Sequence, residues 1–248
     1  MTRRTAAIAL AAAASALVAS CATNPGGAPE SYAAALADPI RTEADRARDA
    51  DRRPAELVAF AGVKPGDKIA ELAPGGGYFT RILSGVVGTA GRVYAMTSRP
   101  SETLQALAAA RPNVVVTVAQ PGTIPAPEPV DVVWTTLNYH DFKNAKLEGG
   151  GDGAAAINAA AFRALKPGGV YLIVDHEAGA GVGASVTSTL HRIEGALVRR
   201  EVEAAGFRLD GESALLRHPG DDHSLKVQET GIRGKTDQFV LRFRKPRR

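Results

Sequence analysis

Short apolar runs bounded by glycine and proline alternate with longer segments of helical spacing along most of this chain. From Lys64 onward the runs KIAEL (68–72), GRVYAMT (91–97), NVVVTVAQ (113–120), VDVVWTT (130–136), VYLIVD (170–175), FRLDGES (207–213) and DQFVLRFR (237–244) read as seven strands. Helical patterns fill the gaps: one from Tyr78, one after Ser101 with Leu104 and Leu107 on a single face, one over 152–165, and one from Glu194 to Ala205. Ser101 suits a helix cap, and Lys166-Pro167-Gly168-Gly169 suits a helix stop. This alternation predicts an α/β fold: a seven-stranded, mostly parallel, doubly wound sheet. The last two strands have no helix between them, so the final strand is expected to run antiparallel.

Upstream, a helix over 54–60 starts with Pro54 in its first turn and ends at Gly62. Before it, Arg41, Asp45, Arg48, Asp49 and Arg52 recur mostly at three- and four-residue spacing, which predicts a solvated, ion-paired helix face. A lid over the sheet rim is the other reading of that segment. Residues 40–248 are expected to form one domain.

The N-terminus changes the picture. MTRRTAAIALAAAASALVASC has a basic start, an apolar stretch and small residues before a cysteine, the layout of a signal peptide over 1–20. VASC (18–21) resembles a bacterial lipoprotein processing box, which implies lipidation of Cys21, the only cysteine of the chain. The small, proline-containing stretch 21–39 then reads as a flexible tether. The expected location is outside the cytoplasm, in the cell envelope, held to the membrane through lipidated Cys21. Net charge is +4, but no basic stripe with interleaved aromatics appears, so nucleic acid is not an expected partner.

The candidate chemistry begins at ELAPGGGYF (71–79), a triple glycine between a strand and a helix. Glycines there let the backbone approach a ligand, and the following helix presents free N–H groups. A dinucleotide fingerprint would need Gly-x-Gly-x-x-Gly and an acid about 20 residues later. Here Thr80 stands at the last position, and the acid, Glu71, precedes the loop. A carboxylate there suits a cationic ligand and would repel a pyrophosphate, which disfavours a nicotinamide oxidoreductase. Gly234-Lys235-Thr236 lacks the earlier glycine of a phosphate loop and reads as a turn before the last strand.

ELAPGGGYF, LKPGG (165–169) and EAAGF (203–207), in this order, resemble the class I S-adenosylmethionine-dependent methyltransferases. NYHD (138–141), DH (175–176), LHRI (190–193) and RGKTDQFVLRF (233–243) resemble a bacterial group described only as predicted methyltransferases. The resemblance implies S-adenosylmethionine as cofactor, held by Glu71, Gly75, Gly76, Gly77, Tyr78, Thr97 and Asn138. It also implies methyl transfer to a small acceptor of unidentified nature. Thr97 stands where the family usually places an acid that binds both ribose hydroxyls.

Three of the five histidines fall where strands end or a helix begins. His140 and Asp141 follow the fourth strand, Asp175 and His176 end the fifth, and His191 precedes the next helix. The two His/Asp pairs would meet on one rim, which makes His140, Asp141, Asp175 and His176 the candidate catalytic residues. Imidazole titrates near neutrality, so His140 or His176 could act as general base with an aspartate orienting it. A metal on His140, His176 and His191 with Asp141 or Asp175 is a second reading. No close His-x-x-x-His spacing supports it, and no metal ligand is assigned. A structural hydrogen-bonded network is the third. The alternative function is a tethered envelope protein that reuses the fold to bind a small polar ligand or metal without methyl transfer.

Overall fold

The computed structural model describes residues 30–247, so the expected signal peptide, Cys21 and the start of the expected tether lie outside the described residues. Seven strands form one sheet: β1 (Lys68–Leu72), β2 (Arg92–Thr97), β3 (Val114–Val118), β4 (Val130–Thr136), β5 (Leu165–His176), β6 (Arg208–Ser213) and β7 (Gln238–Arg244). Their order is β3-β2-β1-β4-β5-β7-β6. The five on the β3 side pair in parallel, and β7 inserts antiparallel between β5 and β6. The final strand is antiparallel, as its missing crossover helix requires.

The helices are α1 (Glu30–Ala37), α2 (Glu43–Arg46), α3 (Asp49–Arg52), α4 (Pro54–Ala61), α5 (Tyr78–Val87), α6 (Glu102–Ala110), α7 (Tyr139–Asn144), α8 (Gly153–Ala164) and α9 (Gly195–Ala204). Successive strand residues point to opposite faces, so each strand feeds two cores. Ile69, Trp134, Leu172 and Val240 join Leu57, Phe79 and Ile82 on one face, beneath α4 and α5. Ala70, Val133, Tyr171 and Phe239 join Ile157, Val198 and Phe207 on the other, beneath α8 and α9. Burial on both faces is what a parallel sheet between helix layers demands. Each fully buried large apolar side chain contributes about 1.5–3 kcal/mol.

Three elements depart from the sequence reading. The expected tether over 21–39 is helical over Glu30–Ala37, with Tyr32 and Ala35 buried and the Tyr32 hydroxyl donating to the Val63 carbonyl at 2.6 Å. The polar segment before Pro54 is two short helices, α2 and α3, and Arg53 in a left-handed conformation (φ 42°) separates α3 from α4. Lys166–Gly169 lies within β5 and is not a separate helix stop.

Candidate functional site

Strand order reverses at β1, which has β2 on one side and β4 on the other, and doubly wound sheets bind ligands beyond the strand ends at such a point. A 290 Å³ cavity lies there. Its walls include Leu72 and Ala73 after β1, Met96, Thr97 and Ser98 at the end of β2, Gln120, and Asn138 with Asp141 beyond β4. The glycine loop arches beside it with positive φ at Ala73 (49°), Gly75 (58°) and Gly77 (82°). Ala73 fixes the loop at both its polar atoms. Its N–H donates to the Met96 carbonyl at 2.9 Å, and its carbonyl accepts from Asn138 Nδ2 at 3.2 Å. A Cβ at Gly77 would lie 3.2 Å from both Leu104 and Leu107, and its φ of 82° strains any L side chain. Gly75 and Gly76 are exposed, and a Cβ on either would meet nothing within 4 Å.

The sequence candidates separate at this point. Thr97, Asn138 and Asp141 line the cavity, whereas Glu71, Gly75, Gly76, Gly77 and Tyr78 do not. The Thr97 hydroxyl donates to the Arg99 carbonyl at 2.9 Å. Glu71 is buried under the loop, on the face of β1 opposite Ala70 and Leu72, and accepts from the Thr80 hydroxyl at 2.6 Å. Burial raises its carboxyl to about 7, against the pull of the Thr80 hydrogen bond and of Arg52 and Arg81. Tyr78 is drawn away from the ligand side: its hydroxyl donates to Asp49 at 2.6 Å, and Arg48 and Arg52 lie 4.8 and 4.5 Å from its ring centre. Burial, then the Asp49 hydrogen bond, pushes its phenol well up. Sequence reasoning missed Ser98 and Gln120, which carry no motif.

The expected solvated face is corrected by the same contacts. Arg41 and Asp45 are buried; Arg41 Nη1 donates to Asp49 Oδ2 at 3.0 Å, and Asp45 pairs with Arg81 at 3.1 Å. These pairs tie the segment to the first turn of α5, so Arg41 and Asp45 face the domain while Arg48 stays exposed. A second cavity of 440 Å³ opens beside these pairs, between Arg48, Asp51, Arg52 and Arg233 on one side and Leu137, His176 and Gln238 on the other. Leu137 lines this cavity while Asn138 lines the first, so the chain leaving β4 separates the two.

Beyond that partition the His/Asp residues converge. Asp175, with no exposed surface, accepts three N–H groups: His140 backbone N at 2.7 Å, His140 Nδ1 at 2.8 Å and His176 backbone N at 2.8 Å. NYHD after β4 opens helix α7, and Asp175 of β5 satisfies one of its orphan N–H groups. Burial alone would lower the His140 pKa. The Asp175 carboxylate outweighs it and leaves the imidazole raised. His176 goes the other way. Burial lowers it to about 4, so its ring is neutral near pH 7, with Nδ1 hydrogen-bonded to the Thr236 hydroxyl at 2.7 Å. His140 lines neither cavity, whereas His176 lines the second. His191, which the sequence placed before a helix, lies with Nδ1 3.3 Å from His140 Nε2. Arg192, fully buried, was not singled out. It donates to Leu225 O, Glu177 O and both oxygens of Asp221, anchoring the segment that carries His191.

No protein-family model matches the chain, and no curated protein matches it in sequence. Solved structures do match in shape. A SAM-dependent methyltransferase from Aquifex aeolicus superposes with a TM-score of 0.56 at 18% identity, over 77% of this chain and 88% of its own. Fibrillarin from Aeropyrum pernix, in complex with natively bound S-adenosyl-L-methionine, gives 0.51 at 15%, over 76% of this chain and 73% of its own. The [4+2]-cyclase SpnF gives 0.56 at 15%, over 79% and 81%. The fold is the Rossmann-like fold of the S-adenosylmethionine-dependent methyltransferases.

Proposed function

We propose that this chain binds S-adenosylmethionine at the switch-point cavity and transfers its methyl group to a small acceptor in the adjoining 440 Å³ cavity. The observation that carries this reading is the position of the 290 Å³ cavity beyond the ends of β1 and β2, with the glycine loop beside it. Natively bound S-adenosyl-L-methionine in the fibrillarin of the same fold supports it.

The residues present fit such a ligand. Gly75 and Gly76 leave open space above the loop, and Thr97, Ser98 and Gln120 offer neutral polar groups towards a nucleoside. The carboxylate in the cavity is Asp141, beyond β4, and not a residue at the end of β2. The cofactor supplies a methyl group activated on a sulfonium. The protein's share is to hold two reactants in line and keep water away. Arg48, Arg52 and Arg233 against the single acid Asp51 give the second cavity a positive wall, which suits an acceptor carrying a carboxylate or phosphate. His176 offers that acceptor an uncharged imidazole, held by Thr236.

Calorimetry with S-adenosylmethionine and its demethylated product tests the reading. Gly76→Ala has ordinary φ and open space for its methyl, so it should fold normally and weaken binding at least about tenfold, ~1.4 kcal/mol. Absence of binding of either compound to the unaltered protein at millimolar concentration would sink the proposal.

A further inference from the structure

We propose that His140, Asp141 and His191 form a site for one first-row divalent metal ion with a His₂-carboxylate donor set and at least one coordination position left open. The inference goes beyond the methyl-transfer reading and does not depend on it. His140 Nε2, Asp141 Oδ1 and His191 Nδ1 lie 3.3, 3.4 and 3.6 Å apart in their three pairings. A tetrahedral ion with bonds of the usual zinc length sets its donors about 3.4 Å apart. The three atoms already occupy three corners of such a coordination shell.

Proton bookkeeping at His140 strengthens the case. Nδ1 lies 2.8 Å from Oδ1 and 3.1 Å from Oδ2 of Asp175, whose two oxygens already accept backbone N–H groups from His140 and His176, so Nδ1 joins them as a donor and carries the hydrogen. In the neutral ring, Nε2 then presents a lone pair outward, the tautomer that a second carboxylate imposes on metal-binding histidines. In that neutral form, the one a metal ion requires, Nε2 points a lone pair at Asp141 Oδ1, another acceptor, 3.4 Å away. A cation between these groups turns that repulsion into attraction.

Two further features hold the arrangement. His191 sits at φ 56°, a left-handed conformation that costs a non-glycine residue energy and recurs at functional positions. The neighbouring Arg192 is fully buried and bonded to two other segments, at Glu177 and at Asp221 with Leu225, which fixes the chain beside the strained residue. The site also has an open side: the Asp141 side chain is 52% exposed and His191 27%, while His140 is at 4%. Asp141 lines the 290 Å³ cavity, so an open coordination position lies within reach of a ligand bound there. Two imidazoles and one carboxylate favour zinc, iron(II) or cobalt(II) over magnesium or calcium, which take oxygen ligands.

The test uses the full-length chain, stripped with a chelator and then titrated with Zn²⁺, Co²⁺ or Mg²⁺, with bound metal counted by elemental analysis. One Zn²⁺ per chain is expected, Co²⁺ should show the visible absorption of a low-coordinate complex, and Mg²⁺ should bind far more weakly. His191→Ala and the isosteric Asp141→Asn should each weaken Zn²⁺ by about 100-fold, and Asp175→Asn by about 10–100-fold through loss of the hydrogen bond behind His140. His218→Ala, outside the cluster, should bind as the unaltered protein does. Asp141 is exposed, so Asp141→Asn keeps the test sound if a histidine variant misfolds. Zn²⁺ bound below one-tenth of an equivalent, or equally well by Asp141→Asn and the unaltered chain, would overturn the proposal.

Discussion

On the β1–β2 side of the rim the cavity wall is built largely from neutral side chains, beside a loop with three positive φ angles within five residues. On the β4–β5 side, charged and titratable side chains from residues 140 to 236 are brought together and buried against one another. The first half needs a backbone shape, and several residue types around it would serve. The second needs each named side chain, because every buried charge there is satisfied by a small set of specific partners. Ligand shape therefore belongs to one half, and proton or metal chemistry to the other.

The sharpest way to break this contrast is to remove one partner on the charged side. Arg192→Met leaves Asp221 as a buried carboxylate without its bidentate partner and frees the His191 segment. We expect a loss of about 3–5 kcal/mol in urea unfolding. A loss below about 1 kcal/mol would mean that this half tolerates substitution as the loop half does.

Glu71, beneath the loop, tests whether the backbone-built half stores any charge cost. Its native pKa of about 7 exceeds the unfolded value of 4.5, so the native state holds a proton that the unfolded state releases. Its stabilising contribution is fully present below pH 4.5 and is lost as pH rises through about 7, amounting to about 3 kcal/mol. Glu71→Gln should remove this slope from the stability–pH profile and be the more stable form at pH 8. Parallel profiles for the two proteins between pH 4.5 and 8 would contradict the burial argument.

The smallest expected change lies in the loop itself. Ala73 pays the left-handed penalty of an L-residue at φ 49°, so Ala73→Gly should raise stability by about 1 kcal/mol in the same unfolding measurement. A fall would show that the alanine methyl contributes packing that outweighs the strain.

Much of the fold was legible because strand and helix periodicities are local. β1 over 68–72 and the start of α5 at Tyr78 follow from apolar runs and glycine punctuation alone. Helix α7 was not legible: its six residues carry no periodic signal, and its N–H at His140 is satisfied by Asp175, 35 residues away. Helix α1 was hidden by composition, since an alanine-rich stretch reads the same whether it packs or not, and only the contact of Tyr32 with Val63 separates the two. The charge pattern of residues 41–52 gave the right spacing and the wrong face, because periodicity cannot say whether a neighbour waits above it. Glu71 and Tyr78 belong to the loop's motif, yet their side chains point beneath it, a matter of strand pleat and helix packing.

The sequence by itself determined the alternation of strands and helices, the glycine loop at its place after the first strand, and the nearness of two His/Asp pairs to one rim. These depend on short-range spacing and on backbone conformations that glycine and proline impose. Only the tertiary structure decided that His176 faces a cavity while His140 turns towards Asp141 and His191, and that the arginines before Pro54 close over α5. Those choices rest on contacts across tens of residues, where burial and the need to satisfy each buried polar group select one partner from many.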